Sequence, residues 1–159
     1  HVLRIKVIGL TSWDNNSDSS SDTFNFLSRT WQGSDTNNDG FLDRRVFHRH
    51  HMMQRDDNAD GNVAFSVNSN IWHARNLSLS ASGTIEVLQE AYLSHNVIMW
   101  NINSQGHAYH TNITWIAFQI DYVAGTTQGI TVTAIIVDSN QDGTPESTNY
   151  TTAQNSTPP

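Results

Sequence analysis

The chain contains no cysteine, which excludes a disulfide framework, thiolate metal sites and cysteine nucleophiles and leaves stability to burial or to another kind of staple. Long apolar runs are missing as well. None is longer than the stretch from Ala134 to Val137, far short of the roughly eighteen residues that a membrane-spanning helix needs, so membrane insertion is not expected. Charge is scarce: 14% of the residues are charged, against about 25% in an average soluble domain. Eight basic residues face fifteen acidic ones for a net charge of −7. No Lys/Arg cluster exceeds Arg44-Arg45, so the basic stripe that tracks a phosphate backbone is absent and nucleic acid is not an expected partner. An acidic surface favours cations.

Amides and hydroxyls take the place of charge. Seventeen Asn, seventeen Ser and sixteen Thr occur among 159 residues, a length that suits one domain. The sequence begins with His1 and enters an alternating segment directly, without initiator Met or a charged-then-apolar leader. That is how a processed secreted protein reads, and an extracellular location is the expectation. Five Asn-x-Ser/Thr sequons, at Asn15, Asn76, Asn112, Asn149 and Asn155, would be acceptors in a glycoprotein, although a chain this rich in Asn, Ser and Thr produces several by composition alone.

Apolar residues recur at period two far more than at period 3.6. Leu3, Ile5 and Val7 alternate with Arg4 and Lys6; Val63, Phe65 and Val67 share one side of a second segment; Leu77, Leu79 and Ala81 repeat the pattern before Gly83. Each reads as a half-buried strand. His107 to Tyr122 and Gly129 to Val137 are apolar on both faces, which points to central strands. Only Thr84 to Ser94 offers a helical alternative through Ile85, Leu88, Ala91 and Tyr92, and Ile85, Val87 and Ala91 fit a strand equally. The expected architecture is all-β: an antiparallel β-sandwich or jelly roll of seven or eight short strands, as a single domain over residues 1–143.

Two segments are too polar to contribute to a core: the Ser/Asp/Asn run from Asp14 to Asp22 and the Ser/Thr/Asn/Pro tail over 144–159. Such a tail can lie along its own domain or add to the sheet edge of a neighbouring subunit, where backbone hydrogen bonds carry the affinity.

The chemistry concentrates in a repeat. Asp35-Thr36-Asn37-Asn38-Asp39-Gly40, with Asp43 at the ninth position, returns as Asp56-Asp57-Asn58-Ala59-Asp60-Gly61 and as Asp138-Ser139-Asn140-Gln141-Asp142-Gly143 with Glu146 ninth. Calcium is a hard cation that takes six to eight oxygens; positions 1, 3 and 5 of such a loop converge on one point while glycine at position 6 permits the sharp turn. The candidate ligands are Asp35, Asn37, Asp39 and Asp43; Asp56, Asn58 and Asp60; and Asp138, Asn140, Asp142 and Glu146. The twelfth position, which carries a bidentate Glu in a complete EF-hand loop, is Val46, Val67 or Asn149, and no helix pattern flanks any copy. The loops are similar to those of thrombospondin-type aspartate-rich repeats and dockerin-like modules, with a missing ligand to come from elsewhere in the fold or from a neighbouring chain. The bland alternative is that Asp-Gly and Asn are turn residues joining strands.

The eight histidines have no diagnostic metal spacing and read as solvated. His48 and His50 would share one face of a strand with His51 opposite. A copper histidine brace built on His1, with His107, His110 and Tyr109 beside it, is a minor alternative. No G-x-S-x-G, H-E-x-x-H or phosphate-binding glycine loop is present, and an enzyme is not expected.

Two non-enzymatic readings remain. A calcium-dependent carbohydrate-binding, lectin-like module would stack glycans on exposed aromatics, for which Trp13, Trp31, Trp72, Trp100 and Trp115 are candidates. The other is a structural subunit that associates with itself. In its D-x-N-x-D-G loops, its cysteine-free all-β pattern and its long polar tail the chain resembles the calcium-dependent cannula subunits, extracellular tubule proteins of hyperthermophilic archaea. That resemblance implies assembly into a filament or tubule by strand exchange and interfacial calcium.

Overall fold

A computed structural model describes residues 1–14, 21–58 and 60–157. It holds eight strands: β1 (Val2–Trp13), β2 (Thr23–Ser34), β3 (Arg44–Arg55), β4 (Phe65–Leu79), β5 (Ile85–Ile102), β6 (Ala108–Asp121), β7 (Thr126–Val137) and β8 (Ser147–Thr157). The antiparallel all-β class expected from the alternating pattern is the class found. All eight strands belong to one sheet, in chain order, each antiparallel to the next. Among the described residues each strand touches only its chain neighbours, so the fold is a long meander with no crossover.

The strands are longer than the sequence suggests. Val63, Phe65 and Val67 and the later Leu77 and Leu79 read as two segments, but β4 runs unbroken from Phe65 to Leu79, its middle bonded to β3 and β5 through residues as polar as Asn68, Asn70 and Arg75. Ile85 to Ser94 is strand, and the helix-like spacing of Thr84 to Ser94 has a local cause. The β4–β5 register passes from Asn76↔Gln89 to Leu77↔Val87, so Leu88 is the extra residue of a β-bulge, and a bulge breaks period two by one residue. The Leu88 carbonyl is used all the same, accepting from Tyr122 N–H at 2.9 Å.

Very little of the chain is deeply buried. Among the described residues the buried apolar side chains are Leu77, Ala108 and Ala134, and no large side chain is completely enclosed. Most strand residues are half-exposed. Cohesion therefore rests on the backbone ladder and on cross-strand pairs. One such row crosses five strands, Trp31, Phe47, His73, Tyr92 and Phe118 being direct neighbours. Tyr92 and Phe118 are stacked, with centroids 5.1 Å apart and planes at 16°.

The polar stretch 144–159 supplies β8, which pairs with β7 of its own chain from Ser147 to Thr157. Most of the Asp14 to Asp22 run, with the sequon at Asn15, lies outside the described residues. Among the described residues no helix is long and apolar enough to cross a membrane.

Because neighbours alternate in direction, the connections divide between two ends. One end carries His1, the β2–β3 loop, the β4–β5 turn and the β6–β7 turn; the other carries the β3–β4 loop, the β5–β6 turn and the β7–β8 loop. The three D-x-N-x-D-G segments are the β2–β3, β3–β4 and β7–β8 loops.

Candidate metal centres

Each loop starts from the last rung of a ladder. Asp35 N–H donates to His1 O at 2.9 Å, Asp56 N–H to Asp22 O at 2.8 Å and Asp138 N–H to Tyr109 O at 3.0 Å. The first aspartate of each repeat is thus held by a neighbouring strand while the chain after it turns away. Asp35 and Asp138 are buried there, at 7% and 5% exposure.

The turn closes on that carboxylate. Asp35 Oδ2 accepts from Gly40 N–H at 2.9 Å and Oδ1 from Asp39 N–H at 3.2 Å; Asp138 does the same with Gly143 at 2.9 Å and Asp142 at 3.2 Å. Asp56 Oδ2 accepts from Gly61 N–H at 2.7 Å. The reversal needs left-handed backbone, which Gly40, Gly61 and Gly143 supply at φ 89, 83 and 91°, preceded in two loops by Asn38 and Gln141 at φ 63 and 55°. The fifth-position carboxylate ties the exit: Asp39 Oδ1 takes Phe41 N–H at 2.8 Å, Asp60 Oδ1 takes Asn62 N–H at 2.8 Å and Asp142 Oδ1 takes Thr144 N–H at 2.7 Å. The third-position amides lie beside it, with Asn37, Asn58 and Asn140 Nδ2 donating to Asp39, Asp60 and Asp142 Oδ2 at 3.0, 2.9 and 3.2 Å.

The ninth position separates the loops. Asp43 reaches back to Thr36, taking its N–H at 3.1 Å and its hydroxyl at 2.6 Å. Glu146 takes Ser139 N–H at 2.6 Å. In the second loop the ninth residue is Ala64, and Asp57 at the second position pairs with Arg55 instead.

For Asp35, Asp60 and Glu146 these hydrogen bonds favour the ionised form. Burial alone would raise Asp35, but the N–H groups of Gly40, Asn38 and Asp39 outweigh it and hold the group below its ordinary value. Glu146 is lowered chiefly by Ser139 N–H, and Asp60 by Asn62 N–H and the Asn58 amide. Anionic oxygens, amide oxygens and carbonyls in one tight turn form the donor set a hard cation takes. Among the described residues no three His, Asp or Glu side chains converge as a cage, so an ion here would be held by carboxylate, amide and carbonyl oxygens together. The twelfth positions Val46, Val67 and Asn149 already belong to β3, β4 and β8 and leave coordination open on that side.

Sequence reasoning missed the brace behind the third loop. His107 Nδ1–H donates to Gln141 O at 3.0 Å, Asn103 Nδ2 donates to the same carbonyl at 3.0 Å, and the Gln141 amide donates back to Asn101 O and to His107 O, the latter at 3.2 Å. The β5–β6 turn and the β7–β8 loop are thereby locked together. The contacting residues are more than thirty positions apart, and no local spacing signals them.

The reading of the histidines as solvated is also corrected. His73 Nε2 lies 2.6 Å from Glu90 Oε1, which Arg75 approaches at 3.3 Å, and His51 Nε2–H donates to Asn25 Oδ1 at 2.8 Å. Burial opposes ionisation of Glu90, yet the hydrogen bonds from His73 and Arg75 hold it below the ordinary range. His48 and His50 share one face of β3 with His51 on the other. His1 and the His107/His110 pair stand at opposite ends of the sheet, about 40 Å apart at strand rise, and do not converge within one chain.

Nor do the tryptophans form one strip. By register Trp13, Trp31 and Trp100 belong to one face, Trp72 and Trp115 to the other. Compared with family models, curated proteins and solved structures, the chain matches none.

Proposed function

We propose that this chain is a secreted, calcium-binding structural subunit that associates with itself into an extracellular filament or tubule. The observation that carries the reading is the repetition: the first aspartate and sixth glycine make the same bond in all three loops. Acidic residues at positions 1 and 5 of all three loops bring anionic oxygens into each turn, and two of the loops add a carboxylate at position 9. Calcium bound there would pin adjacent strands together at both ends of a sheet that has little core of its own, and the open side of each loop leaves room for an oxygen from another subunit.

The sheet itself supports association. A single layer with half-exposed faces resembles one part of a larger assembly more than a finished globule. The glycan-binding alternative gains less, since its tryptophans are divided between faces and the stacked Tyr92 and Phe118 turn their rings toward each other rather than outward.

Calorimetric titration of the metal-free protein, with light scattering and electron microscopy before and after calcium, tests the reading. Millimolar calcium that produces no binding heat would refute the metal assignment, and binding without association would refute the assembly role.

A further inference from the structure

β1 is the least finished part of the fold. It pairs with β2 along one side only, and all of its residues are exposed. Val2, Leu3, Ile5, Val7, Ile8, Leu10 and Trp13 are each between 49% and 69% exposed. Edge strands are normally protected by shortness, proline, a bulge or dense charge, because their unpaired N–H and C=O groups invite another strand. β1 is long, without proline, and in regular register with β2 throughout. Its charges, Arg4 and Lys6, lie near one end. The opposite edge, β8, is Ser, Thr, Asn and Gln with Tyr150 as its one large apolar residue.

The accessible area of the whole chain points to association as well. The chain exposes 9949 Å², roughly 2,000 Å² more than a compact chain of this mass would. Specific protein interfaces bury about 1,200–2,000 Å² in total, so the excess is of the size that association removes.

We propose that β1 is self-complementary: two copies pair β1 to β1, antiparallel, about a two-fold axis normal to the sheet, and join their meanders into one continuous sheet. Residues opposite each other in an antiparallel pair share a face, so the axis passes midway between one residue and its own copy, and the middle of β1 is Val7 or Ile8. Centred on Val7, Lys6 faces Ile8 of the other copy and Arg4 faces Leu10. Centred on Ile8, Lys6 faces Leu10 and Arg4 faces Ser12. Either way no cation meets a cation, and the exposed apolar side chains of the two strands line a common seam. A second β1 suits this edge better than the β8 edge of another copy, which would set Ile5, Val7 and Ile8 against Thr, Asn and Gln. Such an isologous contact closes on itself and supplies a dimeric unit for the larger assembly. The inference rests on the reading of the chain as an associating subunit, yet β1 carries none of the candidate calcium ligands, so its test is made without metal.

The absence of native cysteine allows single-cysteine reporters. Val7→Cys and Ile8→Cys are prepared separately in EDTA and mildly oxidised. A residue that faces its own copy across the two-fold axis stands about 4.5–5.5 Å from it, Cα to Cα, within the span of about 4.4–6.8 Å that a disulfide bridges. The expected result is a covalent dimer from at least one of the two and none from Tyr150→Cys. Sedimentation of the unaltered chain in EDTA should give twice the chain mass, and the paired change Val7→Lys with Ile8→Lys, at positions too exposed to endanger folding, should give a monomer. A monomer for the unaltered chain at micromolar concentration would overturn the proposal, as would cross-linking found only in mixtures of Val7→Cys or Ile8→Cys with Tyr150→Cys. A dimer in EDTA that binds no calcium would leave this pairing standing while the calcium reading falls, and a metal-free monomer that assembles with calcium would do the reverse.

Discussion

The carboxylates of Asp35 and Asp138 stand at opposite ends of the sheet in matching surroundings, each accepting the N–H of a glycine five residues on, Gly40 and Gly143, at 2.9 Å. Each also has its own N–H fixed by a strand outside the loop. Position 1 of the repeat therefore closes the loop onto the sheet, whereas Asp39 and Asp142 at position 5 tie the loop exit and the third-position amide. That difference selects the substitutions for a calcium test. Asp39→Ala with Asp142→Ala should lower the metal-free melting temperature modestly, through the lost exit and amide bonds, and remove most of the calcium-induced rise, which for one site at a hundredfold excess over Kd corresponds to about 2.7 kcal/mol. Melting in EDTA and in millimolar calcium reads both effects. An undiminished rise after the double change would place the ions outside the first and third loops.

The two glycines differ in what lies behind them. A Cβ at Gly40 would meet nothing within 4 Å, while one at Gly143 would come within 3.1 Å of the His107 ring. Both have φ near 90°, where alanine costs roughly 1–2 kcal/mol. Gly40→Ala should cost that strain alone, and Gly143→Ala should cost more because His107 is pinned by Gln141. Adding His107→Ala should recover the steric part of the Gly143→Ala loss, a coupling that a double-mutant cycle in denaturant measures. Equal losses at the two glycines would contradict the packing described.

What was legible in the sequence and what was not follow from the same geometry. Leu3, Ile5 and Val7 announce β1, and Gly129 to Val137 announces most of β7, because alternation survives wherever a strand is regular. At Leu88 it fails, since the bulge adds a residue and imitates helical spacing. The middle of β4 was invisible for another reason: with no second layer, neither face of Asn68 to Arg75 is forced to be apolar, and hydrophobic patterning loses its signal. The repeats were legible because aspartate, asparagine and glycine specify a turn by their own local bonds. His107, Gln141 and Asn103 were not, since their meeting is set by the pairing of distant strands.

Among the described residues Leu77 is the largest of the buried apolar side chains, at 6% exposure, whereas Leu10 on the free edge is 63% exposed. Leu77 lies beside the bulge, and its N–H donates to Asp43 O at 2.7 Å, so its packing supports both the β4–β5 register and the end of the first loop. Leu77→Ala should destabilise by about 2 kcal/mol or more, the ordinary cost of emptying an enclosed leucine site. Leu10→Ala should change the stability of the separated chain by less than about 0.5 kcal/mol. Comparable losses at both positions, measured at concentrations too low for association, would mean that β1 is covered within the chain.

On the acid side the pH dependence has one sign. Asp35, Asp60, Glu90, Asp121 and Glu146 have folded values below their ordinary ones, so as pH falls the unfolded chain takes up protons first. Their stabilisation is complete above the ordinary values of 3.8 for Asp and 4.5 for Glu and drains as pH drops through them toward the lowered folded values. His51 is lowered by burial and by Arg49 and His50, which acts in the same direction but at higher pH: its contribution is full above 6.5 and declines below it. Metal-free denaturation midpoints should therefore begin to fall in weakly acidic buffer and fall more steeply in the carboxylate range. His51→Gln, able to keep the bond to Asn25, should flatten the first decline and leave the second. The difference between the two curves isolates the histidine, and a difference that is constant from neutral pH to the carboxylate range would show that His51 is as readily protonated folded as unfolded.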